Sequence, residues 1–223
     1  MSRLALLFDL DGTLLHSDPL HHRAFASIFA ERGRELGLEE YNRRVIGRPN
    51  AQIMAEYFPE EDLARQTEIA DLKEARFRDL LGAEAEPTAG IHALLDWAEA
   101  TGAGTAVVTN APRRNAEAML AASGLAARLT TLVIGEECPR PKPDPLPYRM
   151  AMEILGVTPS HSVAFEDSPS GLRAARGSGA HAFGLSSSLT PEALRAAGAQ
   201  EVIADFNAPA LWSYLEARVA RSA

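Results

Sequence analysis

Asp9 and Asp11 stand two residues apart in Asp9-Leu10-Asp11-Gly12-Thr13, directly after the mostly apolar run Arg3-Leu4-Ala5-Leu6-Leu7-Phe8. Such a run has the length and composition of a buried parallel strand. Residues two apart in an extended chain point the same way, so both carboxylates face the crevice beyond the strand's carboxyl end, where parallel α/β sheets bind ligands. Two like charges that close are costly to hold ionised without a cation or a shared proton. Gly12 permits the sharp turn away from the sheet that such a pair needs. An ordinary polar turn closing a strand has the same composition, and the spacing alone leaves both readings open.

Three later segments bear on the choice: Val107-Val108-Thr109-Asn110, Lys142-Pro143-Asp144-Pro145 and Phe165-Glu166-Asp167-Ser168. With Asp9-Leu10-Asp11-Gly12-Thr13-Leu14 they resemble, in order, the four motifs of the haloacid dehalogenase (HAD) superfamily. The long insert after the first motif resembles the helical type I cap of the phosphoglycolate phosphatase and β-phosphoglucomutase-like group, and the resemblance spans nearly the whole chain.

That resemblance implies a Mg²⁺-dependent phosphatase that hydrolyses a small phosphate monoester through an aspartyl-phosphate. It makes Asp9 the nucleophile and Asp11 the general acid and base, a distinction that spacing does not supply. The Mg²⁺ ligands it implies are Asp9, the backbone carbonyl of Asp11, and Asp167, with Glu166 orienting metal-bound water or ligating directly. The Thr109 hydroxyl and the Asn110 N–H would hold a phosphoryl oxygen at a helix N-terminus. Lys142, stiffened by Pro141 and Pro143, would screen the repulsion between Asp9 and an incoming phosphate. Comparison with type I capped relatives suggests His21, Arg48, Lys73 and Arg113 as substrate contacts. The competing reading of His21 is a packing or capping residue, and that of Arg48, Lys73 and Arg113 is a solvated charge. His16 stands where many relatives carry an acidic residue, and Asn50 where the sugar-phosphate mutases of the group tend to place an arginine.

The elements that must position these residues follow from periodicity. Asp18 reads as the N-cap of a helix with Pro19 in its first turn, running to Gly33 with Ala24, Phe25, Ile28 and Phe29 on one face. A break near Gly47-Arg48-Pro49-Asn50 precedes a helix over Ile53 to Phe58, and a longer helix follows Pro59 through Leu63, Ala70, Phe77 and Leu81. No strand interrupts residues 16–86, so this stretch is expected to be an all-helical cap domain, a lid over the strand ends that selects substrate.

Residues 1–15 and 87–223 form the α/β domain. Ile91, Leu94, Leu95 and Ala98 mark a helix ending near Gly102. Strands are expected over Thr105 to Thr109, Leu129 to Ile134, Ser162 to Phe165, His181 to Leu185 and Val202-Ile203. They alternate with helices over Arg113 to Ala122, Leu146 to Leu155, after Pro169, from Thr190-Pro191, and from Leu211 to Val219. This is the signature of a doubly wound parallel sheet.

The 223 residues are 46% hydrophobic, which excludes a disordered chain. With a net charge of −8 and no basic block, a nucleic-acid partner is not expected, while a small phosphorylated metabolite stays open because a local cation can reverse the sign inside one pocket. The single cysteine, Cys138, excludes an intramolecular disulfide. No apolar run reaches membrane-spanning length and Met1 to Leu7 lacks a signal-peptide core, so a cytoplasmic protein with no membrane partner is expected. No exposed heptad is evident, and a monomer is expected.

The same carboxylates would serve a β-phosphoglucomutase-like enzyme. A dehalogenase would lack Asp11 and the metal, and a phosphonate hydrolase would need Lys73 as a Schiff-base amine. A phosphoaspartate signalling module would have no large helical insert. A nucleotide-sugar transferase, which uses Asp-x-Asp for its metal, is a further alternative.

Overall fold

A computed structural model describes residues 3–46, 48–82 and 85–220. The chain runs β1 (Ala5–Phe8), α1 (Asp18–Ala30), α2 (Leu38–Arg44), α3 (Asn50–Tyr57), α4 (Leu63–Leu81), α5 (Ile91–Thr101), β2 (Gly104–Thr109), α6 (Arg113–Ala122), β3 (Leu132–Ile134), α7 (Leu146–Leu155), β4 (Ser162–Glu166), α8 (Pro169–Ser178), β5 (His181–Leu185), α9 (Pro191–Ala197), β6 (Glu201–Ile203) and α10 (Pro209–Ala220). It divides into two compact units, Met1–His16 with Glu86–Ala223, and Ser17–Ala85.

The first unit is a doubly wound α/β core around a six-stranded parallel sheet of order β3-β2-β1-β4-β5-β6. Period-two alternation divides the sheet's residues between its faces. Ala5, Leu7, Ala106, Val108, Ala164 and Ala182 pack with Tyr148 and Ala151 of α7, Leu172, Ala174 and Ala175 of α8, and Leu194 of α9. The many alanines let these helices approach closely. Phe8, Phe165 and Phe183 form a stacked ladder along neighbouring strands, with centroids 5.1 and 5.6 Å apart. Phe206 meets this ladder edge-on, as does Tyr214 of α10.

The second unit is all helical. Phe25, Ile28 and Phe29 of α1, Tyr41 of α2, Ile53 and Met54 of α3, Phe58, and Ile69 of α4 form its own core.

Several expected boundaries shift. The N-cap of α1 is Ser17, one residue before Asp18, and the helix ends at Ala30. Helix α2 was not foreseen because Tyr41 is its one buried residue, which leaves no amphipathic period to read. Helix α3 begins at Asn50, not Ile53. The break expected at Gly47 lies, at that residue, outside the described residues. Leu129 is buried but its N–H closes a turn onto Leu125, so β3 pairs only from Leu132. Strand β4 extends one residue further, to Glu166. Among the described residues no helix is long and apolar enough to cross a membrane.

Candidate active site

The order of the sheet reverses at β1, which pairs with β2 on one side and β4 on the other. Beyond the carboxyl ends of strands at such a switch point lies the crevice where open α/β sheets bind ligands. Phe8 is in register with Phe165, and the Asp9 N–H donates to the Phe165 carbonyl at 3.0 Å. This sets the residues after β1 beside the end of β4. Carboxylate oxygens of Asp9, Glu166 and Asp167 come within 4.8 Å of one another.

One ammonium ties the group together. Lys142 Nζ donates to Asp9 Oδ1 at 2.7 Å and to Glu166 Oε1 at 2.5 Å, and all three side chains are buried. Asn110 grips the backbone of Lys142 at both ends: its Nδ2 donates to the Lys142 carbonyl at 3.1 Å, and its Oδ1 accepts from the Lys142 N–H at 3.2 Å. Burial opposes the charge of Lys142, but Asp9 and Glu166 outweigh it and hold the ammonium protonated. Burial pushes the Asp9 carboxyl up from its ordinary range, Lys142 pulls it down, and Glu166 and Asp11 add to the upward push. The crevice thus gathers the carboxyl groups of Asp9, Glu166 and Asp167 beside the Lys142 ammonium.

Gly12 belongs to this geometry twice. Its φ of +70° is in the left-handed region, and a Cβ there would fall inside the Asp167 carboxylate. Thr109 ends β2 and its hydroxyl accepts from the Ala111 N–H at 3.0 Å, while Asn110 lies in the bend between β2 and α6, which begins at Arg113 after Pro112.

Glu166 is neither solvated nor the cap of the next helix. It is fully buried, and the cap of α8 is Ser168, whose Oγ accepts from the Gly171 N–H at 3.0 Å and donates to Glu166 Oε2 at 3.3 Å. Tyr148, fully buried on α7, donates its hydroxyl to Glu166 Oε1 at 2.7 Å, and its ring centroid lies 5.2 Å from Lys142 Nζ. Burial first, then the Glu166 charge, holds the Tyr148 hydroxyl well above its ordinary pKa, so it remains a donor. Ser188 Oγ donates to Asp167 Oδ2 at 3.3 Å.

The remaining candidates each have partners within their own unit. In the helical unit, His21 stacks on Phe77 with centroids 3.8 Å apart, and its Nδ1 is 2.8 Å from Lys73 Nζ. Lys73 is not the solvated charge of its alternative reading: it is 2% exposed, pairs with Glu74 at 2.9 Å, and lies 4.5 Å from the Phe25 ring centroid. Asn50 donates to Glu74 Oε1 at 2.5 Å. Arg48 is bound to Glu56 and to the Arg44 carbonyl, both at 2.7 Å. In the core, the Arg113 guanidinium is committed to Glu137 and Glu117.

Tyr148, Ser188 and Glu74 were not singled out in the sequence, and Ser168 stood there only as the last residue of the fourth motif. One compositional signal bears on them. The chain's 22 basic residues include only two lysines, Lys73 and Lys142, and both are buried beside a glutamate. Both buried sites thus use a compact ammonium where the rest of the chain uses arginine.

The sequence profile described as haloacid dehalogenase-like hydrolase matches residues 6–185. A phosphoglycolate phosphatase of Xylella fastidiosa is 35% identical over 174 residues, covering 78% of this chain and 76% of the relative. A validoxylamine A 7'-phosphate phosphatase of Streptomyces hygroscopicus is 33% identical, covering 84% and 88%. Among solved structures, a mutant CbbY of Rhodobacter sphaeroides in complex with xylulose-(1,5)bisphosphate is similar with a TM-score of 0.77, 30% identity, and coverage of 92% of this chain and 95% of that one.

Proposed function

From the premise that the chain belongs to the haloacid dehalogenase-like hydrolase family, we propose that it hydrolyses a small organic phosphate monoester through an aspartyl-phosphate formed on Asp9. The observation that carries this reading is the 2.7 Å contact between Lys142 Nζ and Asp9 Oδ1 at the switch point of the sheet. A carboxylate attacks an anionic phosphate only where the local charge is brought near neutral. The ammonium of Lys142 does part of this, with two of its three N–H donors on Asp9 and Glu166 and the third for a phosphoryl oxygen.

Asp9 attacks phosphorus as the bond to the leaving alkoxide breaks, and Asp11 delivers a proton to that alkoxide. Asp11 then takes a proton from the water that attacks the aspartyl-phosphate, which releases phosphate and restores Asp9. Thr109 and the Asn110 N–H orient the phosphoryl oxygens.

The residues fit a hard divalent cation. The donors are all oxygens, and those of Asp9, Glu166 and Asp167 already converge within 4.8 Å. Asp9, the Asp11 carbonyl and Asp167 would hold Mg²⁺, with Glu166 instead occupied by Lys142 and Tyr148. When bound, the ion supplies the positive charge that offsets the phosphoryl oxygens.

The test is phosphate release from p-nitrophenyl phosphate with and without Mg²⁺, comparing the natural chain with Asp9→Asn. Metal-dependent release that falls at least ~10³-fold in the variant is expected for loss of a covalent nucleophile. Release that persists in Asp9→Asn refutes the assignment.

A further inference from the structure

Lys142 reaches Asp9 on a side chain with four rotatable bonds, and such a chain delivers its charge accurately only where its head is held. Asn110 fixes its backbone; the head is fixed by Glu166 Oε1. That oxygen accepts two donors, Lys142 Nζ at 2.5 Å and the Tyr148 hydroxyl at 2.7 Å. The other oxygen, Oε2, accepts from Ser168. The carboxylate is thus pinned at both ends, and a neutral donor shares the oxygen that pulls on the ammonium.

We infer that Tyr148 is a positioning residue for the hydrolytic reaction, its hydroxyl fixing the Glu166 oxygen that aims Lys142 at Asp9. The inference rests on the reading of Asp9 and Lys142 given above. Tyr148 acts through Glu166, to which its hydroxyl is bonded. Its ring, with a centroid 5.2 Å from the ammonium, forms one wall of the lysine's channel, and this wall survives removal of the hydroxyl. Tyr148→Phe therefore isolates the hydrogen bond. Without it, Glu166 Oε1 keeps Lys142 as its one side-chain donor, the carboxylate turns toward the ammonium, and the ammonium is drawn away from Asp9.

The small number of lysines makes this measurable. Protein labelled with ¹⁵N at lysine Nζ gives two ammonium resonances, from Lys73 and Lys142, and Lys142→Met assigns them. Tyr148→Phe is expected to shift the Lys142 resonance while leaving that of Lys73 in place. It is also expected to lower kcat on p-nitrophenyl phosphate about tenfold, with KM changed less than about twofold. Replacing the tyrosines by 3-fluorotyrosine, which alters the donor strength of the hydroxyl and keeps the ring, is expected to shift the same resonance and serves if Tyr148→Phe does not fold.

An unmoved Lys142 resonance in the folded variant overturns the inference, even if kcat falls. If the natural chain releases no phosphate, the phosphatase reading fails by itself, and the resonance still decides whether Tyr148 positions Lys142.

Discussion

Two glycines on α8 should respond to alanine with opposite sign. In a helix interior this substitution removes backbone entropy from the unfolded chain and is worth up to about 1 kcal/mol of stability. At Gly177, which is exposed, a Cβ would meet Pro145 Cβ at 3.4 Å, an ordinary contact, so the gain is retained. At Gly171, in the first turn, a Cβ would land on the Glu166 carboxylate itself. Glu166 is fully buried and bonded to Lys142, Tyr148 and Ser168, so it has no room to yield without breaking a bond to a charged partner. Overpacking costs about 1–3 kcal/mol and a lost charged hydrogen bond about 1.5–3, which together outweigh the helix gain. The net for Gly171→Ala is a destabilisation of about 3 kcal/mol, a fall in Tm of about 6–12 °C at this chain length, against a rise of about 2 °C for Gly177→Ala. Calorimetry on both variants, with kcat measured alongside, checks the pair. The reasoning is refuted if Gly171→Ala matches Gly177→Ala in Tm and keeps the parent kcat.

Glu74 gives a second test, in the helical unit. Burial alone would push its carboxyl up, but the Lys73 charge, the Asn50 hydrogen bond and His21 together hold it below its ordinary value of 4.5. A depressed acid stabilises the fold above that ordinary value and loses the contribution as pH falls through the lower folded value. Glu74→Ala leaves Lys73 buried without its carboxylate, so urea unfolding should show a loss of about 3–5 kcal/mol at neutral pH. The gap between the two proteins should hold constant above pH 4.5 and narrow below it; a gap independent of pH would contradict the ion-pair account. Arg113→Ala should change stability by less than about 1 kcal/mol, because its pairs with Glu137 and Glu117 are solvent-exposed. Its KM for p-nitrophenyl phosphate should stay within about twofold of the parent, and a larger rise would return Arg113 to the substrate.

The framework of the α/β core is legible in the sequence. Helices α6 and α7 and strand β5 lie on the residues their periodicity indicated, because apolar spacing, Pro and Gly act within a few residues of the chain. Asp9 and Asp11 were legible for the same reason, as acids directly following an apolar strand. Periodicity ran out at α2, where a single buried tyrosine leaves no pattern, and at Leu129, whose burial comes from a turn and not from the sheet ladder.

Partners were decided only by the tertiary structure. Glu166, Lys142 and Tyr148 come from β4, the loop before α7, and α7 itself, and no local spacing states that one carboxylate oxygen serves both donors. Lys73 and Arg48 look alike in sequence as isolated basic residues. Packing buries Lys73 between aromatic rings beside Glu74, and it leaves Arg48 on Glu56. A charge's value is set by the solvent it loses and the counter-charge it meets, and both depend on which segments the folded chain brings together.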